Sequence, residues 1–210
     1  MIAGSGETAI TESPSKRALI RRGVFEIVET LVLTVAIFFV VHTFVAQPFR
    51  VEQRSMENTL LPEQYVLVDK LTPRWAPYER GDIVVFEPPE AMRTPSGAPF
   101  IKRVIGVPGD RVELEDGLVL VNGVELDEPY LFTRRGEPEP TEPSFGGDTS
   151  WLIPNGTLFV LGDHRAASAD SREFGPIDVD TVLGRALLRY WPFDTFGPIS
   201  RPSYPELTPD

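Results

Sequence analysis

At 210 residues the chain has room for one sizeable domain, or a small one with additions. Its 31 acidic residues outnumber 20 Lys and Arg, giving a net charge of −11, and no basic cluster is interleaved with aromatics, which excludes nucleic acid as a partner. The absence of cysteine removes disulfides, thiolate nucleophiles and Cys-based zinc sites, and the two histidines, His42 and His164, are too few for a multi-histidine metal centre.

In chain order, residues 1–15 are small, polar and aperiodic, which predicts disorder. Lys16, Arg17, Arg21 and Arg22 follow, and then "VFEIVETLVLTVAIFFVVHTFVAQPF". With Val24–Thr30 added to the uncharged stretch from Leu31 to Ala46, this segment approaches the ~20 residues needed to span a bilayer. It is apolar all round the helix, unlike the one-sided pattern of a core helix. A cleaved signal peptide would share the basic and apolar regions, but small residues at −3 and −1 are missing: Phe44 would occupy −3 for a cut after Ala46. The reading is an uncleaved anchor over 24–46. Four cations precede it and no comparable cluster follows, so residues 1–23 are expected in the cytoplasm and the rest outside, with the plasma membrane as the lipid partner.

The remainder predicts β structure. "QYVLVDKL" (64–71), "GDIVVFEPP" (81–89), "FIKRVIGV" (100–107), "DRVELE" (110–115) and "LVLVNGVEL" (118–126) are short β-branched runs punctuated by Pro-Gly, Asp-Gly and Asn-Gly. "WLIPNGTLFVLGD" (151–163) and "TVLGRALLRYW" (181–191) complete the set. Residues 133–150 read as a Pro/Gly/acidic surface loop, and the tail from Pro192, with five prolines, as an extended segment.

Three patches could carry chemistry. In "FIKRVIGVPGD" (100–110) strand alternation places Phe100, Lys102 and Val104 on one face and Ile101, Arg103 and Ile105 on the other, so whichever face is buried takes a cation with it. Arginine does not deprotonate in proteins, so Lys102 is the better candidate for the inward position. Ser55, in "VEQRSMENTL", lies nine residues past Ala46, within roughly 30 Å of chain from the membrane. A serine nucleophile needs a base, and a buried lysine serves when its amine is neutral. Lowering a lysine pKa from ~10.4 to ~8 costs about 3 kcal/mol, which folds tolerate mainly at functional sites. The third patch, "LGDHRAASADSREFGPI" (161–177), alternates Asp163, Arg165, Asp170 and Arg172, and could hold a hydroxyl such as Ser168 beside an amine. Taken alone, each patch also reads as ordinary loop or strand.

Their combination and order resemble the bacterial type I signal peptidases over roughly residues 24–190. "KRVIGVPGD" and "GD-x-R-x-x-S-x-D-S-R" are the specific motifs, and "SM" followed by Thr59-Leu60 adds to them. The resemblance implies a mostly β fold: an N-terminal transmembrane helix, then a LexA/signal-peptidase-like antiparallel catalytic domain (47–113 and 157–195) with a smaller inserted β region (114–156) and a Pro-rich tail (196–210). It implies removal of signal peptides from secretory preproteins, with Ser55 as nucleophile and Lys102 as general base. Ser168 would orient the amine, and Arg103, Asp163, Asp170 and Arg172 would form supporting ion pairs. The Ser55 N–H, with Gln53 as second donor, would bind the oxyanion. Met56, Val84 and Phe86 are candidates, by position only, to line the pockets for small side chains. No cofactor or metal is implied. Three positions depart from the family pattern: Asn58 stands where proline is usual, which predicts a less rigid loop, Gln53 where a small residue or serine is common, and His164 where asparagine is usual. A LexA-like self-cleaving protease would share the Ser-Lys logic but needs a DNA-binding region and a cleavable linker before Ser55. A membrane-anchored β domain that only binds partners, or a low-activity paralogue, are the other readings.

Overall fold

The computed structural model describes residues 16–93 and 97–207. The stretch 1–15, for which the sequence predicts disorder, lies outside them. The chain divides into two units, Met1–His42 and Thr43–Asp210.

In the first unit, helix α1 runs Lys16–Val40 and continues as a π-helical turn over Val41–Val45. Within Arg21–Val45 an 18-residue window has a mean hydropathy of 2.4 and none of it is buried, so length and composition suffice to cross a membrane. Three of the polar side chains within it are provided for locally. The hydroxyls of Thr30 and Thr34 donate to the carbonyls of Glu26 and Thr30, each at 2.8 Å. Glu26 accepts from Arg22 one turn earlier, at the basic end. The helix begins well before the anchor predicted over 24–46, because charged residues at the edge of an apolar segment still favour helix. Ala46 already belongs to a strand.

The second unit is built from strands β1 (Ala46–Arg50), β2 (Tyr65–Asp69), β3 (Ile83–Phe86), β4 (Phe100–Gly106), β5 (Arg111–Glu115), β6 (Leu118–Val121), β7 (Val124–Glu125), β8 (Thr133–Arg134), β9 (Glu137–Pro138), β10 (Ser150–Leu152) and β11 (Thr157–Leu161). The one-turn helix α2 (Ser171–Phe174) follows, then β12 (Ile177–Asp178), β13 (Val182–Trp191) and β14 (Gly197–Pro198). All pairings are antiparallel. The main sheet has the order β1-β2-β13-β3-β4-β11-β12, with β14 on β13, and a smaller sheet has the order β10-β5-β6-β7. The smaller sheet begins at Arg111, so β5 belongs wholly to it although the expected boundary at residue 114 would split that strand.

Alternation along β3 and β4 divides the core. Ile83, Val85 and Ile101 pack with Val51, Met56, Leu60 and Val66 on one face, while Val84, Phe86, Phe100 and Val104 pack with Leu158 and Val160 on the other. A third cluster joins the two sheets through Ile105, Phe159 and Leu161 against Val112, Leu114 and Val121. β4 is therefore buried on both faces along its whole length. The choice between one inward cation and the other does not arise: Lys102 and Arg103 are both fully inside.

Two stretches differ from expectation. The tail does not simply run extended: β14 pairs with β13, and Tyr204 and Leu207 are buried in the third cluster. Its prolines space two apolar anchors instead of solvating a linker. The loop 133–150 contains the β8–β9 hairpin, and its Glu139 and Thr141 are buried. Its composition reads as exposed because the burial depends on the distant 161–177 loop, where His164 and Arg165 meet these groups, although Glu139 also pairs with Arg134 nearby. Leu207→Ala is expected to lower stability by about 2 kcal/mol, read from urea unfolding. An unchanged midpoint would place the tail outside the core.

Candidate active site

Ser55 sits in the connection between β1 and β2. This loop is closed by backbone bonds from Val51 to Gln64 (2.8 Å) and from Glu63 to Val51 (2.9 Å), and is pinned by the buried side chains of Val51, Met56 and Leu60. Apolar residues on either side of the serine thus fix a hydroxyl that is itself buried. β4 brings Lys102 to it: Nζ donates to Ser55 Oγ at 2.7 Å and to the Ile101 carbonyl at 3.2 Å, and lies 4.9 Å from the Phe100 ring centroid. Burial pulls the amine down from the usual lysine range to about 8, against Asp170 and Asp163, which favour the charged form.

On the opposite face of β4, Arg103 forms a two-pronged pair with Asp163, Nε to Oδ1 at 2.8 Å and Nη2 to Oδ2 at 2.7 Å. Nη1 donates to the Gly81 carbonyl at 2.9 Å, and the guanidinium lies 3.9 Å over the Tyr130 ring. Thr59 Oγ1 donates to Asp163 Oδ2 at 2.5 Å and accepts from Arg103 at 3.2 Å, which ties the loop that carries Ser55 into the pair. The strand register explains the meeting. Leu161 of β11 lies opposite Arg103, and Asp163 follows two residues later.

Beyond Asp163 the chain doubles back. Asp170 caps α2 and accepts from the Gly162 N–H (3.0 Å) and from Arg172 Nε and Nη2 (both 2.8 Å). Burial pushes its carboxyl up, but Arg172 and the Gly162 N–H outweigh that and hold it below its usual value. Gly162 must be glycine: a Cβ there would come within 2.3 Å of Ser168 Oγ and 2.5 Å of the Ser55 carbonyl oxygen. That close approach lets the His164 N–H donate to the Ser55 carbonyl at 3.0 Å.

The structure thus brings together Ser55, Lys102, Arg103, Asp163, Asp170 and Arg172. Ser168 is brought beside Gly162 but not onto the amine; its buried hydroxyl instead interacts with the Asp170 carboxylate and favours its charged form. Met56, Val84 and Phe86 are fully buried among core side chains, so none presents a surface that a substrate could touch, although Val84 and Phe86 share the face of Lys102. Gln53 is half-buried two residues before Ser55. Asn58 does not loosen its loop. It adopts φ +87°, which proline cannot, and its amide donates to the carbonyls of Tyr130 (3.1 Å) and Leu131 (3.0 Å).

Sequence reasoning named several residues of this network without finding their partners. Thr59 was visible only as part of a motif. Arg165 is fully buried, donating to the Gly162 carbonyl at 3.0 Å and pairing with Glu128 and Thr141. His164 stacks on Phe132, ring centroids 3.9 Å apart, with Nδ1 2.8 Å from Glu57. No local pattern links residues so far apart in the chain. Among the described residues no group of three or more His, Cys, Asp or Glu could hold a metal.

A buried hydroxyl bonded to an amine of lowered basicity can attack a carbonyl and pass on its proton. The comparisons with known proteins agree with such chemistry. The family model "Signal peptidase, peptidase S26" matches residues 24–191. The signal peptidase I of Leptolyngbya laminosa is 35% identical over 178 residues, 83% of each chain, and the signal peptidase IB of Staphylococcus aureus (strain COL) 33% identical over 185, 84% of this chain and 94% of that one. A crystal structure of a signal peptidase I from Enterococcus faecalis V583 is 34% identical, covering 52% of this chain and 97% of its own at a TM-score of 0.41. With the family model covering most of its length, the chain belongs to the peptidase S26 family of signal peptidases.

Proposed function

We propose that this enzyme removes signal peptides from secretory preproteins, with Ser55 as nucleophile and Lys102 as general base. The observation that carries the assignment is the 2.7 Å bond from the buried Lys102 amine to Ser55 Oγ. Neutral Lys102 takes the hydroxyl proton as Ser55 Oγ bonds to the scissile carbonyl carbon. The Ser55 N–H, with the Gln53 amide, stabilises the oxyanion, a donor of this kind being worth about 3 kcal/mol. Lys102 then gives its proton to the leaving amine as the C–N bond breaks, and afterwards activates the water that frees the acyl group from Ser55. Arg103 and Asp163 hold β4 and the 161–177 loop at fixed spacing, and Asp170 with Arg172 hold the turn that carries Ser168, whose hydroxyl would orient the amine during turnover.

The anchor is α1, set in the plasma membrane with the basic end cytoplasmic and the catalytic unit outside, where signal peptides emerge. The basic residues at the start of α1 support this orientation. The exposed rings of Trp75 and Trp191 suit the headgroup layer, whereas Phe49 packs against the core. The separate smaller sheet supports a division into a catalytic domain and an inserted region near 114–156, with β5 assigned to the insertion. No observation favours a β domain that binds partners without chemistry.

Ser55→Ala is expected to reduce cleavage of a secretory preprotein by detergent-solubilised enzyme to background, and Lys102→Ala to reduce it by about 10²–10⁴-fold. Wild-type rates in either variant would end the dyad assignment. Lys102→Met should be inactive yet more stable at pH 7, by about 1–3 kcal/mol, since the buried amine costs roughly 1.36 kcal/mol per unit of lowered pKa. The base works only when neutral, so kcat/KM should rise close to tenfold per pH unit below about 8 and level off above it. A flat profile from pH 6 to 9 would contradict this. The folded state also releases this proton before the unfolded one, so stability should increase with pH between about 8 and 10.5.

A further inference from the structure

A cavity of about 490 Å³ is lined by Arg54, Phe132, Arg134, Arg135, His164 and Ala166 among others. Arg54 directly precedes Ser55, and the His164 N–H binds the Ser55 carbonyl, so the cavity lies within a residue or two of the hydroxyl along the chain. Three arginines line it in a chain whose net charge is −11.

Two carboxylates belong to the same cluster, and the way they are held leaves the opening cationic. Glu57 binds Arg54 Nε at 2.7 Å and His164 Nδ1 at 2.8 Å. Glu139 binds Arg134 through Nε at 3.0 Å and Nη2 at 2.6 Å, lies 3.4 Å from His164 Nε2, and accepts from the Ala166 N–H at 3.2 Å. Both acids are turned inward onto the imidazole, with side chains 11% and 6% exposed, whereas those of Arg54 and Arg134 are 69% and 66% exposed. Arg135 is exposed as well. An anion arriving from solvent meets the arginines first.

The backbone supplies a second, independent sign. The smaller strands are joined by two-residue turns with positive φ at both positions, Asp116-Gly117 and Asn122-Gly123, which use the residues such turns favour. The β8–β9 turn has the same form but is Arg135-Gly136, with φ +58° and +91°. Arginine gains nothing from the left-handed conformation, and asparagine or aspartate would suit it better; strain of this kind is kept where a side chain has work to do.

The geometry points to this cavity as a substrate subsite that accepts an acidic side chain from the mature part of the preprotein, within about three residues after the cleaved bond. This rests on Ser55 being the nucleophile. Cleavage of this kind wants small residues at −3 and −1, so the carboxylate that reaches Arg54, Arg134 and Arg135 is assigned to the segment after the cut.

The test uses full-length enzyme in detergent and three peptides identical except for Ala, Glu or Lys at positions +1 to +3. The Glu peptide should be cleaved with kcat/KM roughly fivefold above the Lys peptide at low salt, a preference that fades in 1 M NaCl. Arg134→Glu combined with Arg135→Glu should reverse the Glu-to-Lys ratio. A wild-type ratio within about twofold, with the Ala peptide turned over, would overturn the subsite and leave the Ser55 assignment standing; this readout needs no variant to fold. No cleavage of any peptide would overturn both. Equal cleavage of Glu and Lys peptides, with stimulation by phosphatidylglycerol vesicles that the double substitution removes, would assign the arginines to a lipid headgroup instead and also overturn the proposal.

Discussion

The 2.7 Å contact between Lys102 and Ser55 exists because an amine is kept out of water, and the surrounding architecture follows from that requirement. An amine exposed at an edge strand would stay protonated at neutral pH. Burying it means placing it on a strand covered on both faces, and β4, held between β3 and β11, is such a strand. Burial alone would serve, were it not that the next residue along is also a base. Arg103 goes in with Lys102 and cannot lose its charge, so an acid must be delivered to it from elsewhere in the chain.

Asp163 is that acid, and its delivery explains much of the 161–177 loop. One carboxylate engages Arg103 and Thr59, Gly162 lets the loop close against Ser55, and Asp170 with Arg172 holds the return. The charges of Asp163 and Asp170 favour protonated Lys102, and desolvation outweighs them. The same carboxylates that satisfy the arginines therefore limit how far the lysine can be shifted. The lowered value near 8 is the balance between the two effects.

Much of this was legible in the sequence. β-branched runs and Asp-Gly or Asn-Gly turns located most of the strands, because those signals are local. Ser55, Lys102 and the Arg103–Asp163 pair were legible because each residue type has narrow chemical uses and the motifs fixed their order. What could not be read depends on non-local contact. Strand alternation says which side chains share a face but not whether both faces are covered, so Arg103 was assigned away from the interior. Glu139 and Thr141 looked like loop residues because their partners, His164 and Arg165, come more than 20 positions later. Met56 looked available from its place beside Ser55, yet it is the anchor that fixes the serine.

Asn58 carries a consequence for how such a chain can change. Its positive φ and its bonds to the Tyr130 and Leu131 carbonyls form one unit joining the serine loop to a segment more than 70 residues away. The residue most common at this position elsewhere in the family cannot be introduced alone, since proline would need a different backbone and would forfeit both tethers. Because both acceptors are main-chain carbonyls, the constraint falls on position 58 alone, which must supply a side-chain donor and tolerate a left-handed backbone whatever side chains stand at 130 and 131.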